Sequence, residues 1–294
     1  MRRRSTEAPL GVHVSIAGGV HRAVERAEGL GCDAFQLFGR NPRAWTFGEP
    51  PQEEIAAFRE ARARGGLRVA ALHTSYLINL CSPEQTFFER SARLLASELG
   101  TAAALGCEFV VTHLGSHKGA GVDFAVGRCV EAVRRAVDAA GDGGAGGPLL
   151  LVENTAGSGT QMGGPLREIG RVIEELERVG VEAGLCLDTC HAWAAGYPLK
   201  TGEDAERLAG EIEAAMGLER VALAHLNDSK GELGSRLDRH EHIGRGAIGE
   251  EGLRAFLEHP FFGGVPLVLE TPKKDEDDDR RNLETVRELR GRRS

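Results

Sequence analysis

The feature that most narrows the possible folds is a spacing. Six short apolar runs each stop at a potential metal ligand: R-V-A-A-L-H at His73, E-F-V-V-T-H at His113, P-L-L-L-V-E at Glu153, A-G-L-C-L-D at Asp188, R-V-A-L-A-H at His225 and P-L-V-L-E at Glu270. The intervals are 40, 40, 35, 37 and 45 residues, close to one strand-plus-helix unit. Two more runs precede them, L-G-V-H-V-S near Ser15 and D-A-F-Q-L-F near Phe38. Amphipathic stretches lie between: 18–29, 51–64, 83–105, 123–140, 165–179, 203–217, 250–258 and 281–290. In 83–105 the helical period places Phe87, Leu94, Leu95, Ala102 and Leu105 on one side.

Eight apolar strands alternating with eight helices predict an α/β protein whose parallel sheet is covered on its outside. The simplest closure is a single (β/α)8 TIM barrel. A doubly wound open sheet is the runner-up, but no G-x-G-x-x-G follows the first strand. The barrel is expected over residues 10–290, with 1–9 a disordered basic tail, 291–294 a second tail, and a loop at Gly141 and the following G-G-A-G-G. No internal domain boundary is visible.

Bulk properties exclude several classes. No apolar run approaches the ~20 residues of a membrane span, and M-R-R-R-S-T-E-A-P lacks the apolar segment of a secretory signal. The six cysteines form no C-x-x-C pair and sit mostly in apolar runs, as small hydrophobes do in a reducing compartment. The expected location is the cytoplasm. A net charge of −8 argues mildly against a nucleic-acid partner, yet that sum counts every metal-binding carboxylate at full charge. The acidic run Asp275 to Asp279 reads as a solvated surface loop. Charge alone leaves the partner open.

In a barrel the C-terminal strand ends form one ring at one face, so the six terminal side chains converge on a single pocket. Singly, each has a bland reading: a structural His, or an Asp that caps a helix. Together they do not, because burying so many carboxylates and imidazoles without cations is prohibitive. His191 follows Asp188 by one turn. Asp238 and His240 lie two apart in R-L-D-R-H-E-H-I-G, inside the long insertion after the seventh strand, and point the same way in an extended loop. The set is five His, two Asp and two Glu, too many for one tetrahedral ion and about right for three, if a carboxylate bridges two. Imidazole and carboxylate without thiolate suit Zn2+, with Mn2+ or Fe2+ as substitutes. Three divalent ions outweigh the carboxylates, and a positive pocket in an acidic protein calls for an anion such as phosphate.

The stretches V-T-H-L-G-S, V-E-N-T-A-G, L-D-T-C-H-A-W-A-A-G-Y, H-L-N-D-S-K, R-L-D-R-H-E-H-I-G-R-G-A-I-G and L-E-T-P resemble, in order, the endonuclease IV family of apurinic/apyrimidinic endonucleases. The resemblance implies a (β/α)8 barrel with three zinc ions. Glu153 would bridge two of them, one completed by His73 and His113, the other by Asp188, His225 and Glu270. His191, Asp238 and His240 would hold the third. It also gives Glu153 a catalytic role beside the attacking water. The implied substrate is double-stranded DNA with an abasic site, cut on its 5′ side to leave a 3′-hydroxyl and a 5′-deoxyribose phosphate, or DNA with a blocked 3′ end.

Two early stretches, G-R-N-P-R-A-W and H-T-S-Y-L-I-N-L, resemble the family's insertion loops. They make Arg43, Tyr76 and Leu77 the candidates to wedge into the duplex, with Asn41 on the backbone; padding of the rim is the lesser alternative for Trp45 and Leu77. Ala44 stands where family members often carry Gln. Ser15, Asn227, Ser229 and Lys230 are candidate phosphate contacts, or turn formers. A metal-dependent sugar isomerase or epimerase on the same barrel is the alternative, weakened by the His191–Asp238–His240 set. The chain is expected to act as a monomer without an obligate protein partner.

Overall fold

A computed structural model describes residues 7–141 and 146–291. Most of the expected N-terminal tail, the centre of the glycine-rich loop and residues 292–294 therefore lie outside the described residues. The barrel strands are β1 (Leu10–Val14), β2 (Ala34–Phe38), β3 (Val69–His73), β4 (Phe109–Thr112), β5 (Leu149–Glu153), β6 (Ala183–Asp188), β7 (Val221–His225) and β10 (Leu267–Leu269). They pair in parallel and close in the order β1-β10-β7-β6-β5-β4-β3-β2. Between β7 and β10 an antiparallel ribbon joins β8 (Asp228–Ser229) to β9 (His240–Glu241).

Outside the barrel run α1 (His21–Gly29), α2 (Gln52–Arg64), α3 (Gln85–Leu105), α4 (Val122–Ala140), α5 (Leu166–Arg178), α7 (Gly202–Met216), α8 (Gly249–Glu258) and α9 (Asp278–Gly291). The strand positions that face them, such as Val12, Phe35, Leu37, Leu72 and Val152, are fully buried and join the helices' apolar stripes in one core. Gly106, at φ 74°, closes α3 with the left-handed residue that a helix C-terminus favours.

The opposite face of each strand fills the barrel. Ala71, Val111, Leu151, Cys186, Leu223 and Val268 form a separate cluster inside it. Each precedes by two residues one of His73, His113, Glu153, Asp188, His225 and Glu270. Strand side chains alternate sides, so residues two apart share a face. The apolar ring is thus the storey directly beneath the polar one. On β1 and β2 the same parity turns Gly11, His13, Ala34 and Gln36 inward. Gly11 has no alternative, since a Cβ there would lie 1.6 Å from Ala34 O.

Several expectations need correction. A seven-residue helix, α6 (Thr189–Ala195), follows β6, and the ribbon organises the insertion after β7. Phe87 does not join the buried stripe of α3; it is 40% exposed at the first turn, and its neighbour Phe88 is the buried ring. The acidic run is not all loop either. Asp278 is buried at the start of α9, where it accepts the N–H groups of Lys274 and Asp275.

Candidate metal centre

All nine side chains expected to bind metal meet at the C-terminal mouth of the barrel. Glu153, at the tip of β5 and fully buried, is the hub. Its Oε2 lies 3.0 Å from His73 Nε2 and 3.5 Å from His113 Nε2. Its Oε1 lies 3.1 Å from His225 Nδ1, which is also 3.3 Å from Glu270 Oε2 and 3.9 Å from Asp188 Oδ2. Asp238 Oδ1 sits 3.3 Å from His191 Nε2 and 3.4 Å from His240 Nε2. The donor atoms fall into three groups, each within 4.8 Å: His73–His113–Glu153, Glu153–Asp188–His225–Glu270, and His191–Asp238–His240. A further grouping, Asp188–Cys190–His240, meets the same distance criterion.

Local structure explains why these side chains stand where they do. Asp188 combines both readings open to it. Its Oδ1 caps α6 by accepting the His191 N–H at 2.7 Å, while Oδ2 faces the site. The cap starts the helix that carries His191 back over the mouth. The insertion is fixed by Asp228, whose buried carboxylate accepts the N–H groups of Gly246, Ile248 and Gly249. Asp238 and His240 come down from this loop, the former 61% exposed at the open side.

The electrostatics describe a site that attracts positive charge. Burial pushes the Glu153 carboxyl up, but His113 and His225 overcome it and hold it well below the usual carboxylate range. Asp238 is drawn down to about 2: burial opposes, and the bond from His191 outweighs it. Burial lowers the His191 imidazole, yet Asp188 and Asp238 lift it well above its ordinary value. At His113 burial prevails and its affinity for a proton falls. The buried Nε2 of His240 has no hydrogen-bond partner, while its Nδ1 lies 2.9 Å from the Glu270 carbonyl. A carbonyl only accepts, so the Nε2 lone pair is free and aimed at the Asp238 side of the mouth. Lone pairs held in place among buried carboxylates fit divalent cations.

Five residues around the site take places in the structure that the sequence does not show. Asn154 holds the Asp188 backbone at both ends, and His191 Nδ1 lies 3.0 Å from the Asn154 carbonyl. Asn227, expected at a phosphate, is fully buried; it donates to Asp188 Oδ2 at 2.7 Å and accepts the Glu270 N–H at 2.8 Å. Ser229 is likewise buried, in the ribbon. Asn227 thus belongs to the wall of the site and Ser229 to the interior of the insertion; neither lies at the surface. His13 and Gln36, on β1 and β2, contact Glu270. The signal available for these two was inward strand parity, applied one step before the strand ends.

The remaining DNA-contact candidates lie in the segments that follow β1, β2, β3 and β8. Asn41, Arg43 and Lys230 are exposed, as is Ser15, and Tyr76 is 60% exposed. Leu77 is half-buried. Trp45 is half-buried too, packed on Phe87 with the Arg90 guanidinium 4.4 Å over its ring. It pads its loop instead of projecting from it. The loop is tied down by Arg40, which donates to Thr46 O, Gly48 O and Thr101 Oγ1 and pairs at 3.1 Å with the buried Glu98. Ser75 Oγ donates to Pro42 O at 2.7 Å, coupling the two early loops.

Fold and site together define a parallel (β/α)8 barrel with a multi-donor imidazole–carboxylate centre at its mouth. Comparison with known proteins narrows this class. The family described as a xylose isomerase-like TIM barrel matches residues 24–290. The protein named probable endonuclease 4 of Methanoculleus marisnigri is 45% identical over 285 residues, covering 96% of this chain and 99% of that one. Its namesake in Chloroflexus aurantiacus is 40% identical over 283 residues, 95% of this chain and 97% of its own. The crystal structure of endonuclease IV from Thermus thermophilus superimposes with a TM-score of 0.85 at 40% identity, covering 96% and 98% of the two chains. The chain belongs to the endonuclease IV family. A D-tagatose 3-epimerase-like protein shares the fold alone, at 18% identity and a TM-score of 0.71 over 95% and 96% of the chains.

Proposed function

We propose that the chain is a DNA-repair endonuclease that hydrolyses the phosphodiester 5′ to an abasic site and removes blocking groups from 3′ ends. The observation that carries this reading is the sharing of Glu153 between two donor groups, with a third group of three donors across the same mouth. The names of the relatives support the DNA substrate. We assign the groups to three zinc ions, Mn2+ or Fe2+ being substitutes: His73, His113 and Glu153 for one, Glu153, Asp188, His225 and Glu270 for the second, His191, Asp238 and His240 for the third. When bound, such ions supply acidified water and Lewis-acid stabilisation of the phosphate.

The chain's own residues supply the rest. Glu153 holds its two groups in one register and orients water between them. Arg43, Tyr76 and Leu77 act as the wedge that takes the place of an extruded nucleotide, a device that selects a missing base without reading base edges. Asn41, Ser15 and Lys230 contact the backbone, and Trp45 braces the wedge. The protein works as a monomer; among the described residues no helix is long and apolar enough to cross a membrane.

The epimerase reading keeps the fold but leaves the His191–Asp238–His240 group without a task. The deciding experiment combines metal analysis with a duplex carrying one tetrahydrofuran residue. Incision just 5′ to that residue, leaving a 3′-hydroxyl and lost on prolonged chelation, is the expected result. A metal-replete protein that leaves the duplex intact and interconverts ketoses would overturn the proposal.

A further inference from the structure

His225 is held differently from its neighbours. His73, His191 and His240 each turn Nδ1 toward a main-chain carbonyl: Thr74 O at 2.8 Å, Asn154 O at 3.0 Å and Glu270 O at 2.9 Å. Carbonyls accept, so each of these rings carries a proton on Nδ1 and turns Nε2 to the mouth. His225 is reversed. Its Nε2 lies 2.9 Å from Gln36 Oε1, and Nδ1 faces Glu153, Asp188 and Glu270.

The far end of the same amide fixes the assignment. Gln36 Nε2 is 2.7 Å from Glu270 Oε1 and 2.9 Å from His13 Nδ1. An ionised carboxylate only accepts, so the NH2 stands on that side and the amide oxygen must take the Nε2–H of His225. Two consequences follow. In the neutral ring, the Nε2–H bond to Gln36 puts the lone pair of His225 on Nδ1, facing the mouth. Glu270 has Oε1 engaged, which leaves Oε2 free, 3.3 Å from that Nδ1.

We propose that Gln36 is the positioning residue of the Glu153–Asp188–His225–Glu270 group, a single amide that sets the tautomer of one ligand and the rotamer of another. The inference rests on the metal-centre reading above. Gln36 is fully buried; two of its side-chain hydrogen bonds run to Glu270 and His225 of this group and the third to His13, which itself contacts Glu270, so packing of the barrel alone does not account for an amide there. Without it the carboxylates facing Nδ1 draw the proton onto that atom, and the ring then turns an N–H toward the cation position. Main-chain anchors protect His73, His191 and His240 from side-chain substitution; His225 depends on one residue of a strand that contributes no ligand of its own.

The test compares the zinc-loaded wild type with Gln36→Met and Gln36→Leu, which keep bulk but no hydrogen bonds, and with Gln36→Glu. A Glu that retains its proton both accepts from His225 and donates to Glu270. Metal release is titrated with a chelator, the cobalt(II)-substituted proteins are examined by visible absorption, and melting is followed with and without metal. Loss of an outer partner typically costs 10- to 100-fold in metal affinity. One metal equivalent is therefore expected to leave about 10- to 100-fold more readily in the Met and Leu variants, with one cobalt band altered, and Gln36→Glu recovering most of the loss. Metal should raise their melting temperature less than it raises that of the wild type. Retention of every equivalent as in wild type, or an equal loss of melting temperature with and without metal, would overturn the proposal. A wild type that takes up no metal would instead overturn the metal-centre reading, so the two failures are distinguishable.

Discussion

Glu153→Gln isolates the charge of the hub from its shape. The substitution keeps the size of the buried side chain but replaces two anionic oxygens by one neutral oxygen and an NH2. Glu153 approaches His73 at 3.0 Å through one oxygen and His225 at 3.1 Å through the other, so both donor groups are weakened at once. Removing one preorganised electrostatic contact at a reacting centre costs about 10²–10³ in rate. With two groups affected, the incision rate is expected to fall by at least ~10⁴, which corresponds to about 5 kcal/mol of barrier at 1.36 kcal/mol per tenfold. Asp238→Asn touches a single group and should cost about 10²–10³. The assay is single-turnover cleavage of a tetrahydrofuran-containing duplex at saturating zinc, with circular dichroism to establish that each variant is folded. A Glu153→Gln protein within tenfold of wild type, or one less impaired than Asp238→Asn, would refute the claim that Glu153 serves two groups.

Asp188 both caps and faces the site, and two substitutions separate the roles. Asn caps helices well, so Asp188→Asn should lose metal yet keep the metal-free stability, whereas Asp188→Ala should cost about 1 kcal/mol more in a urea melt. Equal metal-free stability of the two would remove the capping role. Metal uptake should release protons, because His191 and His225 are lifted above the ordinary imidazole range in the metal-free protein, burial being outweighed chiefly by Asp188 at the first and by Cys186 and Glu270 at the second. The sign is fixed: their raised values favour the metal-free fold below the unfolded imidazole range, and that contribution fades as pH climbs through the folded values. Metal affinity therefore weakens as pH falls, and calorimetry in buffers of different ionisation enthalpy should detect the released protons; uptake without them contradicts the argument. Arg40→Ala strands the buried Glu98 and should cost about 3–5 kcal/mol. The double change Arg40→Met with Glu98→Leu should restore stability but not affinity for abasic duplex, as read by melting and by DNA titration; recovery of both would dissociate Arg40 from the wedge loop.

The strand ends were legible because their residues obey two rules at once: an apolar run terminates, and it does so at barrel-unit intervals. Asp238 and His240 were legible from their separation by two. His13 and Gln36 were not, because they terminate nothing; they lie inside their strands, where a polar residue in a parallel sheet reads as an exception to be ignored. Asn227 is legible as a residue near the site, but its place there is not. Its position just past a strand end marks a loop residue, and only the tertiary structure shows that the loop folds inward and buries it between Asp188 and Glu270. The helix α6 escaped because seven residues barely complete two turns and give periodicity little to act on. Phe87 and Phe88 are adjacent and equally apolar; the structure turns Phe88 inward and leaves Phe87 at the surface beside Trp45, from a distant loop.

The apolar hexagon of Ala71, Val111, Leu151, Cys186, Leu223 and Val268 has a consequence for how such a protein can change. It plugs the cylinder independently of whatever chemistry stands on top, so ligands can be exchanged upstairs while the foundation stays packed. That division of labour offers a physical reason why a protein only 18% identical can share this fold. A substitution such as Leu151→Ala should therefore be felt first as lost stability, and only afterwards as lost chemistry.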